Sequence, residues 1–175
     1  MVRERFVQDG PSIFPDDDKP DDAQPAPVSS GRRLIIEADG GSRGNPGVAG
    51  YGALVRDAVT GEVIDCEAGP LGIATNNVAE YSGLIAGLEM ARAIDPAAEI
   101  EVRMDSKLVI EQMAGRWKTK HADMKPLALR ARALCPPMIS WTWIPRAQNS
   151  AADRLANLAM DGTPQRRRGL SGSTR

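Results

Sequence analysis

Apolar residues along this chain recur with two different periods, which predict a block of strands followed by strands that alternate with helices. Residues 34–39 form a short apolar run ahead of a glycine-rich stretch, and two segments with strand-like alternation follow, joined by a Thr-Gly turn. Together these segments predict a three-stranded antiparallel meander.

The strongest helical pattern covers residues 75–94, where apolar side chains from Val78 to Leu88 recur at the spacing of one helix face. The Asp95-Pro96 pair would end this helix. Three neighbouring residues are available as its N-cap: Thr75, Asn76 and Asn77.

The second half of the chain alternates between the two periods. Strands are predicted at 99–105 and 139–144, and helices at 106–114, 125–134 and 150–160. The resulting order, βββαβααβα, predicts an α/β fold with a five-stranded mixed sheet, three antiparallel strands then two parallel ones, flanked by helices.

Composition separates the two ends from this central region. Residues 1–31 are rich in Pro, Asp, Ala and Ser and predict a disordered acidic leader, since residues 1–30 hold seven acidic side chains against three basic ones. Residues 163–175 are rich in Gly, Ser and Arg and predict a flexible basic tail or linker. A single domain is therefore expected at 32–162.

Several protein classes are excluded by composition. No apolar run approaches the length of a membrane span, and the charged first residues do not resemble a signal peptide, so we expect a cytoplasmic protein with no membrane partner. Cys66 and Cys135 lie in apolar surroundings without CxxC spacing, which indicates reduced thiols that pack in the fold.

Four carboxylates fall where strands end and helices begin. Asp39 closes the first strand and Asp105 the fourth, while Glu80 and Asp153 lie in the predicted first turns of two helices. Each one alone is more often a capping or strand-end residue than a catalytic one. As a set of oxygen ligands without a His or Cys cluster, they suit Mg²⁺ or Mn²⁺ rather than zinc.

The glycine-rich stretch 39–52 does not match a nucleotide-binding loop, because it has neither GxxxxGK[ST] nor GxGxxG and precedes a strand. A turn that exposes amides to a nucleic-acid backbone fits this stretch better.

Three tryptophans offer further candidates. Trp117 lies among basic residues that include Lys118, and it is either a stacking floor for a nucleic-acid strand or a core residue. Trp141 and Trp143 alternate along a predicted strand and are interpreted as sheet packing.

Four segments of the chain, spanning about residues 33–161, resemble the signature segments of type 1 ribonuclease H, in particular actinobacterial-type and other bacterial or archaeal-like members that lack a loop histidine. They read IEADGGSRGNPGVAGYG, ATNNVAEYSGLIAGLEMA, MDSKLVIEQMAGRWKTK and WIPRAQNSAADRLANLAM.

The resemblance implies an RNase H-like fold and an endoribonuclease that hydrolyses the RNA strand of RNA·DNA hybrids, leaving 5′-phosphate and 3′-hydroxyl ends. It implies two Mg²⁺ ions per site when substrate is bound, with Mn²⁺ as an alternative. The implied ligands are Asp39, Glu80, Asp105 and Asp153.

The resemblance also implies substrate contacts. Gly40, Asn45, Asn76 and Asn77 match positions that meet sugar and base edges of the hybrid, and Thr75 matches one that binds a DNA phosphate. The sequence is equally compatible with Asn76 and Asn77 as helix caps rather than substrate contacts.

The loop at 145–153 departs from the family pattern, since it lacks the histidine that many members carry there. Arg146 lies nearest that position, and its guanidinium can bind phosphate but transfers protons poorly at neutral pH. His121 is interpreted as a surface residue. A long basic helix found in some relatives is missing before Lys125, which predicts either weaker hybrid binding or reliance on tails or partners for that binding.

Two alternatives remain open from the residues: a non-cleaving hybrid-binding module, and a nuclease of the same fold that acts on double-stranded RNA. We expect a monomer. Some relatives carry a fused phosphatase domain, and no such domain is expected in this chain.

Overall fold

A computed structural model describes residues 25–26 and 28–168, so most of the predicted leader and the last seven residues lie outside the described part of the chain. Within that part the chain forms six strands and four α-helices. The strands are β1 (Arg33–Gly44), β2 (Gly47–Asp57), β3 (Val63–Ala74), β4 (Glu99–Met104), β5 (Ile139–Trp143) and β6 (Gln165–Arg168). The helices are α1 (Asn76–Ile94), α2 (Lys107–Met113), α3 (Lys125–Leu134) and α4 (Ser150–Met160).

The strands form one mixed sheet in the order β5-β4-β1-β2-β3-β6. The β1-β2-β3 meander is antiparallel, and β4 runs parallel to both β1 and β5. The predicted α/β class and the mixed sheet are confirmed. The parallel pairing of β1 with β4 stops at Glu37↔Arg103, so Asp39 within β1 and Asp105 just after β4 both lie close to this point. The prediction that Asp39 closes the first strand is wrong, because β1 continues to Gly44 through its antiparallel pairing with β2.

The sixth strand was not predicted, because residues 165–168 fall in the segment interpreted as a flexible tail. These residues pair antiparallel with β3, from Ala68↔Gln165 to Asp65↔Arg168. An edge strand leaves a row of unpaired backbone groups, and β6 pairs with part of that row, at residues 65–68 of β3. Arg166 also lies 3.7 Å from the carboxylate of Glu67, a charge pairing that composition alone does not reveal.

The glycine-rich stretch is strand rather than an exposed turn, which corrects the sequence interpretation. Residues 40–44 continue β1 and pair with residues 47–51 of β2, so the turn is confined to Asn45 and Pro46, joined by a cis peptide bond. Here glycine permits close helix packing. A Cβ on Gly52 would lie 2.4 Å from the carbonyl oxygen of Ala152 in α4.

Helices cover both faces of the sheet. α1 packs on the face that carries Ile36 and Val55, in the main core, while α4 contributes Leu155 and Ala159 to a smaller cluster on the other face. The Thr75 side chain caps α1 by accepting a hydrogen bond from the Val78 amide, and the backbone leaves the helix at Asp95 as predicted. None of the described helices is both long and apolar enough to cross a bilayer.

The exposure of the three tryptophans differs in part from the sequence interpretation. Trp141 packs against the main core, but Trp143, also interpreted as packing, is 49% exposed. Trp143 is the last residue of the edge strand β5, and its indole donates a hydrogen bond to the carbonyl oxygen of Asp105 at 3.1 Å. Trp117 is 46% exposed, which removes its interpretation as a core residue.

Candidate active site

Four elements bring the four predicted carboxylates to a single cavity of about 260 Å³. Asp39 lies in β1, Asp105 follows β4, and Asp153 lies in the first turn of α4. Glu80 is the fifth residue of α1, just beyond the first turn in which it was predicted. The other lining residues are Gly40, Gly41, Ser42, Arg43, Asn76, Arg146, Ala156, Asn157 and Met160.

Two of the carboxylates are buried, which changes their protonation. Asp39 and Glu80 are each 7% exposed. Burial, together with the negative charges of Asp105 and Asp153, raises the pKa of Asp39 to about 7. Burial and the charges of Asp39 and Asp105 raise the pKa of Glu80 to about 9. Near neutral pH the carboxyl groups of Asp39 and Glu80 therefore retain protons, and a bound cation would displace these protons.

Gly40 lets α1 approach β1 closely enough to place Glu80 beside Asp39. A Cβ on Gly40 would lie 2.1 Å from the Ala79 carbonyl carbon and 2.2 Å from the Glu80 amide nitrogen, so no larger residue fits. The Gly40 amide interacts with both carboxyl groups and lowers the pKa of each, partly offsetting their burial. Gly40 was predicted as a substrate contact. The close approach of α1 also requires a glycine at this position.

The other two carboxylates are held by neighbouring nitrogen donors. Asp153 accepts hydrogen bonds from Arg146 at 3.2 Å and from the side chain of Asn157 at 3.3 Å. Asp105 accepts one from the side-chain amide of Asn149 at 2.8 Å, and its carbonyl oxygen accepts one from the indole of Trp143 at 3.1 Å.

The donor set fits a hard divalent cation, although its side chains are not gathered around one point. Among residues 25–26 and 28–168, no three His, Cys, Asp or Glu side chains already form a metal-binding group. One oxygen of Glu80, Oε2, is buried and finds no hydrogen-bond partner in that part of the chain. A buried carboxylate oxygen without a hydrogen-bond partner is unfavourable, and a divalent cation would supply the missing partner. The cation would bind all four acids only after their side chains rearrange.

The predicted contacts of the Asn-rich segment lie beside this cavity. Asn76 lines it, and the Asn76 amide donates to Oδ1 of Asn45 at 3.2 Å, which joins the β1-β2 turn to the start of α1. The Thr75 hydroxyl is already engaged as the N-cap, and Asn77 follows as the second residue of α1.

Trp117 and Lys118 lie outside the carboxylate cavity, in a separate open groove between the end of α2 and helix α3. Lys125, Leu129 and Arg132 line the same groove, which is therefore both basic and apolar. His121, exposed in the segment between these helices, does not line the carboxylate cavity, consistent with its interpretation as a surface residue.

Sequence reasoning missed Asn149 and Asn157. Asn157 lies one helical turn after Asp153, a spacing that could have revealed it, since residues four apart share a helix face. Asn149 precedes α4, where an asparagine ordinarily indicates a cap, and nothing in the sequence marks it as buried.

Comparison with known proteins agrees with this geometry. A family model described as reverse transcriptase-like matches residues 37–159, more than half of the chain. Ribonuclease H of Hydrogenovibrio crunogenus is 34% identical over 74% of this chain and 97% of its own length. The solved structure of LC11-RNase H1 in complex with RNA/DNA hybrid is 38% identical, with a TM-score of 0.70 over 74% of this chain and 97% of that one.

This chain belongs to the type 1 ribonuclease H family. Among its relatives, the bifunctional protein Rv2228c of Mycobacterium tuberculosis is 56% identical over 76% of this chain. The solved N-terminal RNase H domain of that protein has a TM-score of 0.73 and 55% identity, over 75% of this chain and 96% of the solved one. This type 1 ribonuclease H chain spans only 37% of the full length of the mycobacterial relative.

Proposed function

We propose that this domain is an endoribonuclease that hydrolyses the RNA strand of RNA·DNA hybrids and leaves 5′-phosphate and 3′-hydroxyl ends. The observation that carries the proposal is the convergence of Asp39, Glu80, Asp105 and Asp153 from four elements on one cavity. Membership in a family with a hybrid-bound member supports the same substrate.

The four carboxylates would hold divalent cations, two Mg²⁺ ions with substrate bound, or Mn²⁺ in their place. Such ions supply stabilisation of the negative charge that develops on the reacting phosphate. Before they bind, Asp39 and Glu80 retain protons near neutral pH because their pKa values are raised to about 7 and about 9. Loading of the site therefore releases protons from these two residues.

Arg146 takes part in binding the phosphate. Its side chain is 80% exposed at the cavity and already faces Asp153, so it is free to turn toward a phosphate when the carboxylate binds a cation. A guanidinium stays protonated throughout the neutral range, so Arg146 neutralises charge and does not shuttle protons.

Recognition of the hybrid involves the Asn-rich rim of the cavity and the groove of Trp117. Gly40, Asn45, Asn76 and Asn77 present amide groups suited to 2′-hydroxyls and base edges, by which RNA is distinguished from DNA. Thr75 would bind a phosphate of the DNA strand. Trp117 and Lys118 supply an aromatic surface and a cation for the same strand.

The decisive assay compares labelled RNA·DNA hybrid, double-stranded RNA and single-stranded RNA, each with Mg²⁺ and with Mn²⁺. We expect cleavage of the hybrid and its loss in Asp105→Asn, which preserves shape but removes a charged ligand. Undiminished cleavage by this variant would refute the site. Hybrid binding without cleavage would indicate a non-cleaving binding module. Preferred cleavage of double-stranded RNA would show that double-stranded RNA, and not the hybrid, is the substrate.

The cytoplasmic location and the monomeric state belong to the proposal as well. The relative of 56% identity is named as bifunctional, and the present chain spans 37% of it, so the proposal concerns the RNase H domain alone. Size-exclusion chromatography with light scattering measures the oligomeric state directly.

A further inference from the structure

Asn149 has a polar side chain that is almost completely buried. It is 1% exposed and precedes α4, where an asparagine side chain would ordinarily cap the helix, yet it makes no side-chain cap hydrogen bond. A polar amide buried away from water is costly unless its hydrogen bonds are made. Its hydrogen bonds therefore show what it does.

Both hydrogen bonds of the Asn149 amide nitrogen go to the strands that carry carboxylates. Nδ2 donates to the carbonyl oxygen of Ala38 at 2.9 Å and to Oδ1 of Asp105 at 2.8 Å. Both acceptors are oxygens, so the amide nitrogen must face them. Ala38 directly precedes Asp39, so a single side chain links this part of β1 to Asp105 at the end of β4.

The position of this bridge follows from the sheet. The parallel pairing of β1 with β4 stops at Glu37↔Arg103, and beyond that pair the two strands make no further ladder contact. Ala38 and Asp105 lie just past this point, where the Asn149 amide replaces the missing backbone partner. The backbone carbonyl of Asn149 also accepts a hydrogen bond from the Asp153 amide at 3.0 Å, which adds the start of α4 to the same junction.

We infer that Asn149 is a positioning residue for the metal ligands, an inference that rests on the proposed function. Its amide fixes Oδ1 of Asp105 and the backbone before Asp39, which leaves the second oxygen of Asp105 for a cation. Partners of this kind orient ligating carboxylates, and their loss typically weakens metal binding about 10–100-fold. A carboxylate at this place would remove both donated hydrogen bonds and add a fifth negative charge.

The test measures metal binding by the folded protein without substrate, by calorimetric titration with Mn²⁺ or Mg²⁺ of the wild type, Asn149→Ala and Asn149→Asp. We expect both variants to need about 10–100-fold more metal for half saturation. Asn149→Ser, which keeps one hydroxyl donor, should fall between Asn149→Ala and the wild type. This milder variant keeps the test decisive if the larger changes prevent folding.

Gln112 provides a matched control, because it is a buried amide at 2% exposure whose hydrogen bonds, with Tyr81 and Lys118, lie away from the cavity. Gln112→Ala should lower thermal stability and leave metal affinity unchanged. If Asn149→Ala lowers stability to a similar extent but binds metal like the wild type, Asn149 is only structural and the inference is wrong. A wild type that cleaves hybrids normally alongside such a result would leave the proposed function standing, whereas a wild type that binds no divalent ion would overturn both.

Discussion

At the scale of single residues, the site gathers four carboxyl groups, two of which are almost fully buried. Glu80 and Asp39 are nearly inaccessible and lie among two further acids, so each retains its proton to a higher pH than an exposed carboxyl does. Raised pKa values at a cavity are characteristic of functional sites. They also make the stability of the metal-free domain depend on pH.

The Glu80→Gln variant tests this dependence. The pKa of Glu80 is higher in the folded protein, about 9, than in an unfolded chain, so its contribution to stability is complete below about pH 4.5 and is lost as pH rises toward 9. In EDTA at pH 8, we expect Glu80→Gln to raise the free energy of unfolding by about 1–3 kcal/mol. Urea denaturation at pH 5 and pH 8 measures the free energy of unfolding of both proteins. If this free energy falls equally with pH in Glu80→Gln and in the wild type, the raised pKa of Glu80 is not its cause.

Arg146 lies nearest the predicted place of the loop histidine that many family members carry. Its ion pair with Asp153 joins groups that are 80% and 32% exposed, so Arg146→Ala should change stability by less than about 0.5 kcal/mol. Loss of a charged hydrogen bond to phosphate should nevertheless lower kcat/KM about 10–100-fold, with partial recovery in Arg146→Lys. Steady-state cleavage assays give both values. Unchanged kinetics in Arg146→Ala would remove this residue from the proposed mechanism.

At the scale of elements, the site depends on how closely helices approach the sheet. α1 lies against β1 where Gly40 has no side chain, and α4 lies against β2 at Gly50 and Gly52. Glycine is required at these contacts because any Cβ would meet backbone atoms, which cannot move aside as a side chain can. The glycine-rich stretch is thus a packing surface that sets the depth of Glu80 in the cavity.

Neighbouring glycines make this argument testable. A Cβ on Gly40 would overlap the backbone of α1 at 2.1 Å, whereas one on Gly41 would meet the flexible end of Met160 at 2.9 Å. We expect Gly40→Ala to destabilise the domain by about 3 kcal/mol or more, and Gly41→Ala by about 1 kcal/mol or less. Thermal denaturation of the pair measures the difference, and equal effects would show that α1 can shift away from β1.

The β6 strand is the element that sequence patterns did not reveal, and its removal has a specific expected effect. A chain ending at Gly162 should lose about 1 kcal/mol of stability and gain a tendency to self-associate, because the β3 edge becomes open to another strand. Sedimentation velocity and urea denaturation measure these effects. Arg166→Ala serves as the control: its 3.7 Å ion pair is largely exposed, so stability should change by only a few tenths of a kcal/mol. A truncated chain that stays monomeric at full stability would show that β6 is dispensable.

At the scale of the whole molecule, a groove lined by several basic residues lies apart from the acidic cavity. Residues 114–124 pass from α2 to α3 without a further helix in this described segment, in agreement with the predicted lack of a long basic helix. We therefore expect the groove that contains Lys118, Lys125 and Arg132 to contribute cationic contacts to the hybrid. Fewer phosphate contacts imply a weaker dependence of binding on salt.

A salt titration of hybrid binding in Lys118→Ala tests that distribution. Removal of one phosphate contact should lower the slope of log K against log salt by about 1. Arg33→Ala is the control, because Arg33 begins β1 and lines neither the carboxylate cavity nor the groove of Trp117, so the slope should stay unchanged. Equal slopes in Lys118→Ala and the wild type would exclude the groove from the hybrid interface.

The sequence by itself determined the order of the first five strands and the four helices, and the chain positions of the four carboxylates. Hydrophobic periodicity and capping are local properties, so the end of β4 before Asp105 and the start of α4 before Asp153 could be located without knowledge of distant contacts. The end of β1 could not, because its continuation to Gly44 depends on pairing with β2. The resemblance then supplied the roles of these acids, because each alone is also an ordinary strand-end or helix-start residue.

Only the tertiary structure decided which polar groups are buried, which edges are covered and how closely the elements pack. The hydrogen bond from Asn149 to Ala38 joins residues 111 positions apart, and the pairing of β6 with β3 likewise joins distant segments. The raised pKa of Glu80 arises from burial among residues of other elements. Burial and electrostatic interaction depend on distances in three dimensions, and these are set by packing rather than by local patterns.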